Sequence, residues 1–133
     1  MKMTELEPVR TDDAPAPVGG APYSQAIVAG DLVFASGQVP LDPRSGALVD
    51  GGIAVQTRQV FANIEGVLRA AGSGLDRIVK TTVFLTDLGD FQAMNEEYAK
   101  HVGESRPARS TVEVSALPAG ASVEIECVAL RRP

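Results

Sequence analysis

The sequence predicts an α+β fold, a sheet of five or six strands with two helices on one face, and three features carry that prediction. Two segments, 53–71 and 88–102, repeat apolar side chains every three or four residues, the spacing of a helix with one buried stripe. Several shorter segments are β-branched or alternate with period two, and Gly, Pro and Asp punctuate them as turns. Apolar residues also occur at both parities of these strands, as in Leu32 and Phe34 against Val33 and Ala35. Two helices cover only one sheet face, so the other is expected to meet a second subunit. At 133 residues the chain is expected to be one domain, with residues 1–21 forming an N-terminal strand and a Pro/Gly-rich loop.

The elements follow in order. "APAPVGGAP" is a loop, and "SQAIVAGDLVFASGQV" holds two apolar runs split by Gly30 and Asp31, the mark of a hairpin. Turn residues in "LDPRSGALVDGG" lead to Asp50 or a nearby glycine, where a helix begins. From Ile53 to Ala71 the stripe is Ile53, Val60, Ile64, Val67, Leu68 and Ala71, with Gln56, Arg58, Asn63 and Arg69 largely off it. "GSG" ends that helix, and "RIVKTTVFLTD" reads as a central strand in which Val79, Val83 and Leu85 alternate with Lys80, Thr82 and Phe84. The second helix runs through Leu88, Phe91, Met94, Tyr98 and Val102, with Asp87 as its cap. "ARSTVEVSA" and "SVEIECVALRR", joined by "LPAG", supply the last two strands.

Charge and composition exclude several functions. Seventeen acidic against twelve basic residues give a net charge of −5, which repels a polyanion, and only the terminal "LRR" clusters positive charge. No apolar run approaches the roughly 18 residues of a membrane span, and the first twenty residues lack a secretory apolar core, so a cytoplasmic protein is expected. The single cysteine, Cys127, can form neither an intrachain disulfide nor a zinc pattern, and it reads as a core filler. His101, the only histidine, falls at what reads as a solvated helix end.

Polar residues break the pattern at a few positions. Period two places Arg109, Thr111 and Glu113 on one face of their strand, opposite Ser110, Val112 and Val114. Glu124 and Glu126 oppose Val123, Ile125 and Cys127. If the valine faces share the core, Arg109, Thr111, Glu124 and Glu126 converge on the uncovered face. Alternation alone is equally satisfied by a wet cross-strand Arg–Glu pair, worth about 0.2–1 kcal/mol. Asn95 shares a helical stripe with Phe91 and Tyr98, so its carboxamide faces inward, toward a loop backbone or a ligand. Tyr23 after Pro22, and Gly37 at a strand end, each fit turn packing as well as a site.

Taken together, "PYSQAI", "ASGQVPLDPRSG", "IVKTTVFLTDLGDFQAMNEEY", "RPARSTVEVSALP" and "VEIECVAL" closely resemble the RidA/YjgF family of enamine/imine deaminases over residues 22–131. The resemblance implies a fold like the bacillus type of chorismate mutase, a homotrimer with sites between subunits, and no cofactor or metal. It implies substrates such as 2-iminopropanoate and 2-iminobutanoate, derived from 2-aminoacrylate-type enamines and hydrolysed to 2-oxo acids and ammonia. Within it Arg109 matches the arginine that binds the substrate carboxylate, and Glu124 the glutamate that handles water and protons. Tyr23, Gly37, Asn95 and Thr111 match cleft-lining positions. A guanidinium suits the first role, since it offers two parallel donors and stays charged when half-buried.

Two departures from the family pattern bear on the chemistry. Thr111 stands where many members have cysteine, which removes a thiol nucleophile there. Ala21 stands where glycine commonly precedes the proline, which bears on the Tyr23 loop. A trimer that binds a small carboxylate such as a 2-oxo acid without catalysis is the alternative from another functional class.

Overall fold

The computed structural model describes residues 5–133. Six strands, β1 (Leu6–Val9), β2 (Ala26–Ala29), β3 (Leu32–Gln38), β4 (Ile78–Leu85), β5 (Ala108–Glu113) and β6 (Val123–Leu130), are joined by helices α1 (Ile53–Ala70) and α2 (Phe91–Val102). They form one sheet in the order β1-β2-β3-β6-β4-β5. Every neighbouring pair is antiparallel except β4 and β5. The exception follows from the connection, because α2 carries the chain back along the sheet, as a parallel pair requires. β1 is the expected N-terminal strand, and residues 1–4 lie outside the described residues. Gly30 turns the β2–β3 hairpin at φ 62°, and Gly52 stands at the start of α1.

Both helices pack on one face of the sheet. Val60, Phe61, Ile64, Val67 and Leu68 of α1 and Met94 of α2 are fully buried against Val33, Val83, Leu85, Val123 and Ile125. Each such side chain stabilises the fold by about 1.5–3 kcal/mol relative to exposure. Cys127 belongs to this core, and burial pushes its thiol up to about 12, so it is a filler and not a nucleophile. Among the described residues no helix packs on the opposite face. Phe34 is 47% exposed there, with Leu32 and Val112 beside it in exposure, as the apolar residues at both parities require.

Four expectations need correction. Arg109, Thr111, Glu124 and Glu126 do not share a face. In the parallel β4–β5 register Arg109 pairs with Thr81 and Thr111 with Val83, both fully buried toward the helices, whereas Glu124 and Glu126 pair with Phe84 and Thr82 on the open face. The premise that Val112 faces the core fails, for it is 43% exposed. Val79 does not align with Val83, because a bulge between Ile78 and Lys80 reverses the parity and leaves Val79 exposed.

Gln56 and Asn63, read as off the apolar stripe of α1, are buried. Asn63 Nδ2 donates to the carbonyls of Val39 and Leu41 at 3.1 and 2.9 Å, and so ties the loop after β3 to the helix. Asp87 caps the 3₁₀ turn Leu88–Asp90 that leads into α2, accepting from Gly89 N at 2.8 Å.

His101 is not a solvated end. Its ring stacks on Phe61 at 4.8 Å and 3°, and its Nε2 lies 2.8 Å from Glu97 Oε2. The Glu97 side chain is only 3% exposed, paired with Arg58, Lys100 and His101. The Arg58 guanidinium, reaching across from α1, holds its carboxyl down to about 2 against the opposing effect of burial.

Candidate active site

The six residues singled out in the sequence fall into two groups, one on each side of the sheet. Arg109, Thr111 and Asn95 meet at the β5 edge, on the helix side. α2 runs past β5 there and sets two rings under the guanidinium, whose carbon lies 4.8 Å from the centre of Tyr98 and 5.5 Å from that of Phe91. Among the described residues Arg109 makes no ion pair, and the Tyr98 hydroxyl, which meets Thr81 Oγ1, lies beside its guanidinium. Asn95 Oδ1 and Thr111 Oγ1 are buried without a hydrogen-bonding partner, an arrangement that costs stability unless a ligand or water supplies one. Asn95, Tyr98, Val102, Arg106, Pro107 and Arg109 line a cavity of about 570 Å³. Arg106, at the turn into β5, holds a left-handed φ of 41°, a strained conformation for a non-glycine residue. Glu113, on the same side, accepts from Leu88 N at 2.9 Å and has a structural role.

Tyr23, Gly37 and Glu124 meet on the open side, around a cavity of about 510 Å³ that Ser36 and Glu126 also line. The β3–β6 register slips between Ala35 and Gln38, and this bulge takes Ser36 and Gly37 out of the regular pairing. A side chain at residue 37 would overlap Glu124 Oε2, so the glycine is what lets the carboxylate lie against the strand backbone. Burial raises the pKa of Glu124, and the nearby Glu126 charge raises it further. Tyr23 faces this cavity with its hydroxyl already engaged, accepting from Val18 N at 2.9 Å. Ser36 Oγ donates to Ser24 O at 2.7 Å, so the Tyr23 loop is fixed to β3.

The Arg109 group holds a cation with no acidic side chain paired to it among the described residues, and the Glu124 group a carboxylate whose pKa is raised by burial. Sequence reasoning missed Phe91 and Tyr98 as the platform for Arg109, and Ser36 beside Gly37. The stripe that turned Asn95 inward also contains Phe91 and Tyr98, so their side was legible, though not their contact with Arg109. Among the described residues no three His, Cys, Asp or Glu side chains cluster so as to hold a metal ion.

The chain is similar to known proteins over nearly its whole length. Residues 11–131 match the family model described as Endoribonuclease L-PSP. A RutC family protein of Pyrococcus horikoshii is 51% identical over 125 residues, 94% of this chain and 98% of its own. The 2-iminobutanoate/2-iminopropanoate deaminase of Mus musculus is 45% identical over 125 residues, 94% of this chain and 91% of its own. Among solved structures, the crystal structure of the yeast protein YEO7 superposes with a TM-score of 0.92 at 44% identity, over 96% of this chain and all of that one. Fold and site thus define a chorismate mutase-like α+β protein of the Rid type. The chain belongs to the RidA/YjgF family, which the L-PSP model describes and which includes named imine deaminases.

Proposed function

We propose that the protein is a cofactor-independent enamine/imine deaminase that hydrolyses 2-iminopropanoate and 2-iminobutanoate to the 2-oxo acids and ammonia. It acts as a homotrimer, in which the Arg109 group of one subunit faces the Glu124 group of the next. The observation that carries this reading is the Arg109 guanidinium beside a 570 Å³ cavity, without an anionic partner among the described residues. A partly buried, unpaired cation is costly unless a ligand carboxylate compensates it. The exposed apolar patch on the open face, near Glu124, supports burial against a second copy.

Chemically, Arg109 takes the carboxylate in a two-pronged grip, and Asn95 and Thr111 offer polar contacts beside it. Gly37 presents backbone groups to the substrate, and Tyr23 walls the opposite side. In the protonated imine, Glu124 accepts a proton from water as the water oxygen bonds to the C=N carbon and the C=N π electrons move onto nitrogen, giving a neutral carbinolamine. It then returns the proton to the amino group of the carbinolamine. Ammonia leaves as the hydroxyl oxygen gives its proton to Glu124 and the C=O bond forms, and that proton passes to the departing ammonia as ammonium. With Thr111 in place of cysteine, no covalent thiol adduct enters the scheme. The family model's name speaks of a ribonuclease, but a net charge of −5 without a basic stripe opposes polyanion binding.

The test is a coupled assay in which threonine dehydratase generates the imine. The purified protein is expected to accelerate release of 2-oxobutanoate, and Arg109→Ala to abolish the acceleration. Equal rates with both proteins would refute the reading, and binding of 2-oxobutanoate without any acceleration would favour the non-enzymatic carboxylate trimer.

A further inference from the structure

We propose that Tyr98 is a positioning residue for substrate binding, a rigid aromatic platform that fixes the Arg109 guanidinium without a carboxylate partner that would occupy its donors. The inference rests on Arg109 as the carboxylate anchor and adds how that anchor is held. An arginine at an enzyme site is commonly oriented by a neighbouring carboxylate, but such a partner occupies N–H groups that the substrate needs. Here the guanidinium carbon lies 4.8 Å from the Tyr98 ring centre and 5.5 Å from that of Phe91, with no protein carboxylate paired to it among the described residues. Contact with a ring face restrains the cation while its donors point outward in its own plane.

Tyr98 is itself over-determined. Its hydroxyl and Thr81 Oγ1 are 2.7 Å apart, and Thr81 is fully buried on β4 directly across from Arg109 on β5. Its ring meets Phe61 edge-on, with centroids 5.2 Å apart and planes at 81°. Helix, strand and core thus fix one ring from three directions. That ring and Arg109 line the same cavity as Asn95.

The full-length protein tests this with 2-oxobutanoate as the carboxylate probe and 2-oxobutanamide as its neutral counterpart. Removal of a partly desolvated cation–π contact corresponds to a loss of roughly 5- to 30-fold. Tyr98→Leu is expected to weaken 2-oxobutanoate binding by that factor and leave 2-oxobutanamide binding within about twofold. Tyr98→Phe, which keeps the ring, is expected to retain most of the affinity. The Arg109 Hε resonance is expected upfield in the wild type and in Tyr98→Phe, and shifted toward the free-arginine position in Tyr98→Leu. A folded Tyr98→Leu protein that binds 2-oxobutanoate like the wild type overturns the proposal, as does equal weakening for acid and amide. Should Tyr98→Leu fail to fold, Phe91→Leu replaces it with the same acid-selective loss expected and the same two contrary results. Unchanged binding in Arg109→Ala would sink the anchor itself, whereas loss in Arg109→Ala with none in Tyr98→Leu sinks only the platform.

Discussion

At Gly37 the absence of a side chain decides where the Glu124 carboxylate lies. The Glu124 carboxylate rests on the strand backbone at this residue, and a methyl group there would overlap Oε2. Gly37 does not have a left-handed φ, so alanine is tolerated by the backbone, with a stability change within about 1 kcal/mol. The carboxylate must nevertheless move. Gly37→Ala is expected to lower kcat by roughly 10-fold or more, since a 1 Å displacement of a catalytic group can cost that much. Steady-state kinetics beside a urea titration checks both parts, and an unchanged kcat would show that the position of Glu124 is not critical. Arg109 teaches the limit of reading such residues from alternation. Period two identified Thr111 and Glu113 as its companions, yet could not say which side they faced. That depends on the register against β4, where buried Thr81 and Val83 lie opposite Arg109 and Thr111, and no local pattern encodes it.

Among the elements, the two helices were the most legible, because a 3.6-residue stripe is a local property. The edges of those stripes were not. Asn63 and Gln56 look like surface residues, but they are drawn inside by loop carbonyls and amides that come from distant sequence, such as Val39 O and Ser122 N. The bulge in β4 was likewise invisible, since a bulge exists only relative to its partner strand. Glu97 makes the packing of the two helices sensitive to pH. It joins α2 to α1 through Arg58, and its carboxyl is held at about 2 against an ordinary 4.5. The folded state therefore favours the ionised form. The stabilisation is fully present above about pH 4.5 and is lost as pH falls toward 2. Urea midpoints measured between pH 6 and 2.5 are expected to fall less steeply for Glu97→Gln than for the wild type. Parallel curves would show that Glu97 contributes nothing to acid stability.

Across the whole molecule, the sheet divides the candidate site. Arg109, Asn95 and Thr111 lie on the helix side, and Glu124, Gly37 and Tyr23 on the open side, so the sheet keeps the two groups of one chain apart. The uncovered apolar face was legible from the sequence, and the family resemblance singled out the residues of both groups. Their separation was not legible, because it follows from β6 inserting between β3 and β4 while β5 is carried out to the edge. Subunit complementation is the most direct test of the intersubunit site. Arg109→Ala and Glu124→Ala proteins, each inactive alone, are unfolded together at equal concentration and reassembled. In random trimers about one site in four combines an intact Arg109 with an intact Glu124 from the neighbouring subunit. The account predicts recovery of about a quarter of wild-type deaminase activity in that mixture. A reassembled trimer of both variants with no activity above that of either variant alone would contradict it.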